Sequence, residues 1–180
     1  MKTYLTTIFL LISILCFSQV EQIEEYYDNG QIKGEGTLIN GKIEGIVILY
    51  YDNGQIKEKL KYSNDEINGN NQFYYENGQL KREGNVINGK QNGIWKFYYE
   101  NGQLKREGNV INGKEDGPWK KYYENGKLES EGNWSDGKQN GIWKYYDENG
   151  KLTQKGSWKN LKENGIWKFY YENGQLKREG

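Results

Sequence analysis

The stretch Tyr98-Tyr99-Glu100-Asn101-Gly102-Gln103-Leu104-Lys105-Arg106-Glu107-Gly108-Asn109-Val110-Ile111-Asn112-Gly113-Lys114-Glu115-Asp116-Gly117-Pro118-Trp119-Lys120-Lys121 decides the fold. It carries two Asn-Gly pairs between runs of aromatic and β-branched residues, and that arrangement is the strongest short-range signal for a β-hairpin. Taken as a two-residue type I′ loop with positive φ at both residues, Asn101-Gly102 sets Tyr99 opposite Leu104, Phe97 opposite Arg106 and Trp95 opposite Gly108. A longer second loop from Asn88 to Gly93 sets Ile87 opposite Ile94, Val86 opposite Trp95 and Gly84 opposite Phe97. Both loops then give the same faces. Leu80, Val86, Trp95, Phe97, Tyr99 and Leu104 point one way, while Lys81, Glu83, Lys96, Tyr98, Lys105 and Glu107 point the other.

Outward from this stretch the pattern repeats. Asn-Gly recurs at Asn29, Asn53, Asn77, Asn101, Asn125, Asn149 and Asn173, always 24 residues apart. Trp95, Trp119, Trp143 and Trp167 keep the same interval, as do Tyr26, Tyr50, Tyr74, Tyr98, Tyr122, Tyr146 and Tyr170. A fixed period of this size is an architecture. The expected fold is all-β: an elongated antiparallel β-meander of 24-residue hairpin repeats, a solenoid-type single-layer sheet. Six full units run from 26 to 169 and a partial seventh covers 170–180, within a repeat domain of residues 19–180. Gly84, Gly108, Gly132 and Gly156 fit a design in which a tryptophan lies over bare backbone. Two departures stand out: Leu60 takes a glycine place with Asn71 in a tryptophan place, and Asp147 stands where neighbouring units have Tyr. A flat sheet of this kind would expose a long apolar strip, so twist, dimerisation or a partner must cover it.

Composition narrows the function. The chain of 180 residues has 16 Tyr, 6 Trp and 24 Gly beside one Pro, one Cys and no His. Its mean hydropathy is low, but aromatic residues at 15% separate it from disordered chains, which lack such groups to bury. Basic and acidic residues balance at 25 each, so no long-range field draws nucleic acid, and lipid headgroups are disfavoured for the same reason. Lys2 followed by the apolar run Tyr4 to Phe17 has the form of a signal peptide over residues 1–18, cut after Ser18. The protein is then secreted, periplasmic or on the cell surface. Cys16 as a lipid-bearing cysteine is the alternative, opposed by the bulky Leu15 before it. Beyond Cys16 there is no thiol for disulfides or nucleophilic chemistry.

No His and only Ser63, Ser130, Ser135 and Ser157 after the leader leave no nucleophile and base pair to assemble, so an enzyme is not expected. Glu83, Glu107 and Glu131 read as a solvated charge ladder among lysines. The Asp-Asn-Gly turns lack the spacing of a calcium loop, so no metal and no cofactor is expected. The aromatic rows remain as binding candidates. Trp95, Trp119, Trp143 and Trp167 fall on the apolar face, where core packing competes with contact. Tyr98, Tyr122, Tyr146 and Tyr170 fall on the charged face, where they either pair with neighbours such as Lys105 or stack on a sugar or a partner protein.

The run Tyr-Tyr-Glu-Asn-Gly-Gln-Leu-Lys-Arg-Glu-Gly, followed by Asn-Gly-Lys and Gly-Ile-Trp-Lys, strongly resembles the bacterial variant of the MORN repeat, over residues 22 to 180. The resemblance implies an antiparallel hairpin-repeat fold. Similar bacterial chains carry the label YwqK-like antitoxin, and lipid binding has been proposed for eukaryotic MORN proteins. The expected function is a non-catalytic exported scaffold for a protein partner, antitoxin-like or immunity-like in its narrower form. Glycan or cell-wall binding through the aromatic rows is the alternative, and self-association is a third outcome.

Overall fold

The computed structural model describes residues 18–180, so the apolar leader and Cys16 lie outside the described residues. Among the described residues, seventeen strand segments form one antiparallel sheet and no helix is present. Each strand pairs with the next along the chain, from Val20–Tyr26 at one edge to Leu176–Glu179 at the other. Lys42–Ile43, Glu66–Ile67 and Lys162–Glu163 are two-residue pieces leading into the segment that follows, which leaves fourteen strand positions, two for each unit. The expected single-layer meander is the observed fold.

The two Asn-Gly turns are of different kinds, and the expectation had them reversed. At Asn101-Gly102, Tyr99 N–H donates to Gln103 O at 2.8 Å and Gly102 N–H to Tyr99 O at 2.9 Å. Of the loop residues only Gly102 has positive φ, at 84°. This is a type I turn ended by a left-handed glycine, a three-residue loop. Asparagine serves here through its side chain. Asn101 Oδ1 accepts from Gln103 N–H at 2.9 Å, and the equivalent Asn77 donates through Nδ2 to Glu100 O of the next unit at 3.0 Å. The type I′ pair is Asn112-Gly113, with φ of 52° and 83° and Ile111 opposite Lys114.

The register follows from these turns. The extra loop residue is taken back by a bulge: Leu104 pairs with Tyr98, Lys105 is passed over, and Arg106 pairs with Phe97. Phe97–Arg106 and Trp95–Gly108 stand as expected, but Leu104 and, by the same bulge, Leu80 lie on the Tyr98 face. Lys105 and Lys81 turn instead to the aromatic side. At the second turn the early closure slips the pairing by two, placing Gly84 opposite Trp95 and Arg82 opposite Phe97, where Val86 and Gly84 were expected. A slip of two returns every side chain to its own face, so the faces agreed although the partners did not.

The core lies within the single layer. Trp95, Trp119, Trp143 and Trp167 are 1 to 4% exposed. Each indole rests on the glycine eleven positions earlier, Gly84, Gly108, Gly132 or Gly156, where a Cβ would fall inside the ring. Three indoles also donate Nε1–H, from Trp95 to Asn85 O at 3.1 Å, from Trp119 to Asn109 O at 2.9 Å and from Trp143 to Asn133 O at 3.1 Å. Val86 and Val110 close the cluster with Phe73, Phe97 and Trp134 beside it. Neighbouring side chains of the same sheet therefore cover these tryptophans, without a second layer.

The departures at 60 and 71 compensate each other. Leu60 fills the space a tryptophan would take, and Asn71, fully buried, fills the place of the tryptophan. Asn71 accepts Lys61 N–H at 2.9 Å and donates to Gly69 O at 2.8 Å. Its partner is again the residue ten positions earlier, with the direction of donation reversed. A large-over-small pair has become a medium-over-medium pair of similar combined size. Asp147 is explained as well: its Oδ1 accepts Asn149 and Lys151 N–H, both at 2.9 Å, capping its own turn.

Candidate functional site

The functional site is built from the row beside the tryptophans. Glu58, Phe73, Arg82, Phe97 and Arg106 stand opposite one another on successive strands. Facing alternation keeps them on the tryptophan side. Arg82 lies 4.0 Å over the Phe73 ring and Arg106 lies 4.2 Å over Phe97, so each guanidinium covers an aromatic face while staying solvated.

A second row borders the first. Tyr51, Tyr75 and Tyr99 each send the hydroxyl to the next unit, donating to Tyr74 O at 2.7 Å, Tyr98 O at 2.9 Å and Tyr122 O at 2.7 Å. The bond fixes each ring in one orientation. Lys57, Lys81 and Lys105, turned to this side by the bulge, lie 5.7, 5.1 and 5.1 Å over those rings. The rows enclose a groove of about 540 Å³, lined by Lys57, Lys81, Lys105, Arg82 and Arg106 against the single carboxylate of Glu58.

Ion pairing decides which of these cations are free. Arg106 is held by Glu115 at 2.8 Å. Lys57, Lys81, Lys105 and Arg82 form no ion pair among the described residues. The run is bounded on both sides: Lys33 in the unit before is bound by Glu25 at 2.6 Å, and the unit after has Glu129, bound to Lys121 at 2.6 Å, in the lysine place. The groove can take an anionic group on its cations and an apolar or ring surface on its aromatic walls.

Of the aromatic residues singled out from the sequence, Tyr98 touches this groove, where its carbonyl accepts from Tyr75, while its ring lies on the opposite face with Glu83. The tryptophan row lies in the core. Tyr98, Tyr122 and Tyr146 are half-buried, with hydroxyls donating to Glu83 at 2.8 Å, Glu107 at 3.1 Å and Glu131 at 3.0 Å. Tyr170, also half-buried, has Lys155 fifteen positions earlier, where Tyr98, Tyr122 and Tyr146 have a Glu. The groove itself was missed from the sequence because Lys81 and Lys105 had been placed on the opposite face. The signal was present as a Tyr with a Lys six positions later, in four successive units from Tyr27 and Lys33 to Tyr99 and Lys105.

The tyrosine row titrates late. Burial, followed by the hydrogen bond to Glu83, pushes Tyr98 up to about 12. Burial and the charge of Glu107 do the same for Tyr122, and the hydrogen bond to Glu35 does so for Tyr50, both to about 12. In the unfolded chain these phenols ionise near about 10. The folded state thus keeps protons the unfolded state has lost, and stability falls as pH rises through that interval. Thermal unfolding at stepped pH should show a plateau from neutral pH to about 10, then a decline toward about 12. Phenolate absorbance of all tyrosines rising together near the ordinary value would contradict it. Glu131 has the opposite sign: the Lys144 hydrogen bond lowers its pKa, and its contribution is lost only in acid.

The family model described as the MORN repeat variant matches seven stretches, residues 22–40, 43–64, 67–88, 91–112, 115–136, 139–160 and 163–180. No curated protein matches the chain.

Proposed function

Because the chain belongs to the MORN repeat variant family, whose repeats generally serve binding and not catalysis, we propose that it is a non-catalytic, exported bacterial scaffold that holds a partner protein in the groove between Tyr51 and Arg106. The supporting observation is the set of four cations stacked on aromatic walls with no carboxylate partner. Such cations keep a ready site for an anionic surface, and the ring faces supply the apolar contact that protein interfaces favour. The apolar leader supports an encounter in the periplasm, on the cell surface or outside. In the narrower antitoxin or immunity form, the partner is a toxin neutralised by occupation of this groove.

The test compares two charge-matched triple variants. K57A/K81A/K105A empties the groove, whereas K96A/K120A/K155A removes lysines from the opposite face. Cross-linking of the full chain in its own cells should capture a protein partner with the wild type and the second variant, and lose it with the first. Capture that survives the groove variant removes the proposal. The glycan alternative rests on the row of half-buried rings at Tyr98, Tyr122 and Tyr146. Their joint replacement by Ala should then abolish retention on cell-wall glycan, with the lysine variants retained.

A further inference from the structure

We infer that the groove is matched to a polyproline-II segment bearing a carboxylate at every third residue, Glu-x-x-Glu-x-x-Glu. This rests on the reading of the groove as a partner site. Lys57, Lys81 and Lys105 occupy the same position in three successive units, each stacked on its tyrosine. Equivalent positions lie two strands apart, about 9.6 Å at ~4.8 Å per strand. A polyproline-II helix presents the same side every three residues, about 9.3 Å along its axis. Over the two intervals from Lys57 to Lys105 the mismatch grows to only about 0.6 Å, within the reach of lysine side chains.

Other chain conformations do not keep step. An extended strand repeats a face every two residues, about 6.7 Å, and falls out of register at the second lysine. A helix repeats after two turns at about 10.8 Å, overshooting by roughly 1 Å per unit, with a body about 10 Å wide. The walls add a second match: polyproline-II segments dock in grooves lined by aromatic rings, and Tyr51, Tyr75, Phe73 and Phe97 provide such a wall. The length of the run sets the length of the ligand. The neighbouring lysine place on one side is neutralised by Glu25 and on the other is occupied by Glu129, so three carboxylates fill the free positions. Arg82, stacked at 4.0 Å on Phe73 and without a carboxylate, offers a fourth donor between them.

The experiment titrates the full chain, followed by NMR, with two peptides of equal composition. One is Glu-Pro-Pro-Glu-Pro-Pro-Glu and the other Glu-Pro-Glu-Pro-Glu-Pro-Pro. The first should bind at least about tenfold more tightly, because three contacts made in register act as one multivalent contact. K81Q, which removes the middle contact, should erase that preference, while K96A/K120A/K155A should keep it. Equal binding of both peptides, lost in K57A/K81A/K105A, overturns the spacing and leaves the groove as a partner site. Binding of both peptides that ignores all three lysines overturns the groove as well. No binding of either peptide overturns the peptide assignment, and tighter binding of an oligogalacturonate through the same lysines replaces it with an anionic glycan.

Discussion

Replacing Gly84 by leucine should unfold or severely destabilise the repeat, and replacing Trp95 by asparagine in the same chain should restore most of what was lost. The Cβ of any residue at 84 falls inside the Trp95 indole. Trp95 is 1% exposed and has no space to yield. Overpacking of this kind costs about 3 kcal/mol or more. W95N alone empties the site, at about 3–5 kcal/mol for loss of a buried indole. The pair together, however, recreates the solution found at Leu60 and Asn71. The leucine introduced by G84L would fill the vacated volume, and the asparagine introduced by W95N could accept from Asn85 N–H as Asn71 does from Lys61 at 2.9 Å. A double-mutant cycle by denaturant unfolding should return a favourable coupling of about 3 kcal/mol. Simple additivity of the two losses would show that the pairs at 60/71 and 84/95 are not alternative packings of one site.

The second large effect concerns the joints between units. Tyr51, Tyr75, Tyr99 and Tyr123 each donate across a joint at 2.7 to 2.9 Å. Removing these four of the five crossing hydroxyls, in Y51F/Y75F/Y99F/Y123F with Tyr27 left in place, should cost about 4 kcal/mol, at about 1 per bond for sites too far apart to couple. Because the carbonyl groups left behind belong to the next unit, the loss should also broaden the unfolding transition as units come apart separately. A loss below about 1 kcal/mol would mean that water replaces these bonds without penalty. At the last joint the same device is absent. Asp147 caps its own turn in place of the crossing tyrosine, and the buried Trp167 indole N–H has no partner among the described residues. D147Y should therefore add stability, by up to about 1 kcal/mol.

Much of this was legible in the sequence, and the parts that were not share one cause. Period, strand count, sheet type and the face of Trp95, Phe97 and Val86 follow from composition and spacing, because burial acts on them directly. The turns were assigned in reverse because Asn-Gly suits both a type I′ pair and a type I turn with a left-handed glycine. The side-chain bonds of Asn77 and Asn101 to turn residues of the next unit, Glu100 and Glu124, favour the second, and those are tertiary. The error stayed hidden at Trp95, where a slip of two preserves the face, and surfaced at Lys105, where a single bulge exchanges two neighbours. That one exchange carries the groove, which is why the lysines of the site were expected on the wrong side while the tryptophans were placed correctly.

The reach of the contacts has a further consequence. Each of the four core tryptophans rests on a glycine eleven positions earlier, and each crossing tyrosine reaches a carbonyl 23 positions later. Nothing in the well-formed units depends on residues further away than the next copy. A chain of this kind lengthens or shortens by whole 24-residue cassettes without disturbing those that remain. Unequal recombination between the identical stretches 73–90 and 97–114 would change the number of units while keeping the reading frame of the structure, and with it the length of the row of free lysines. Related lineages could thus adjust how long a ligand they hold by counting units instead of redesigning a surface.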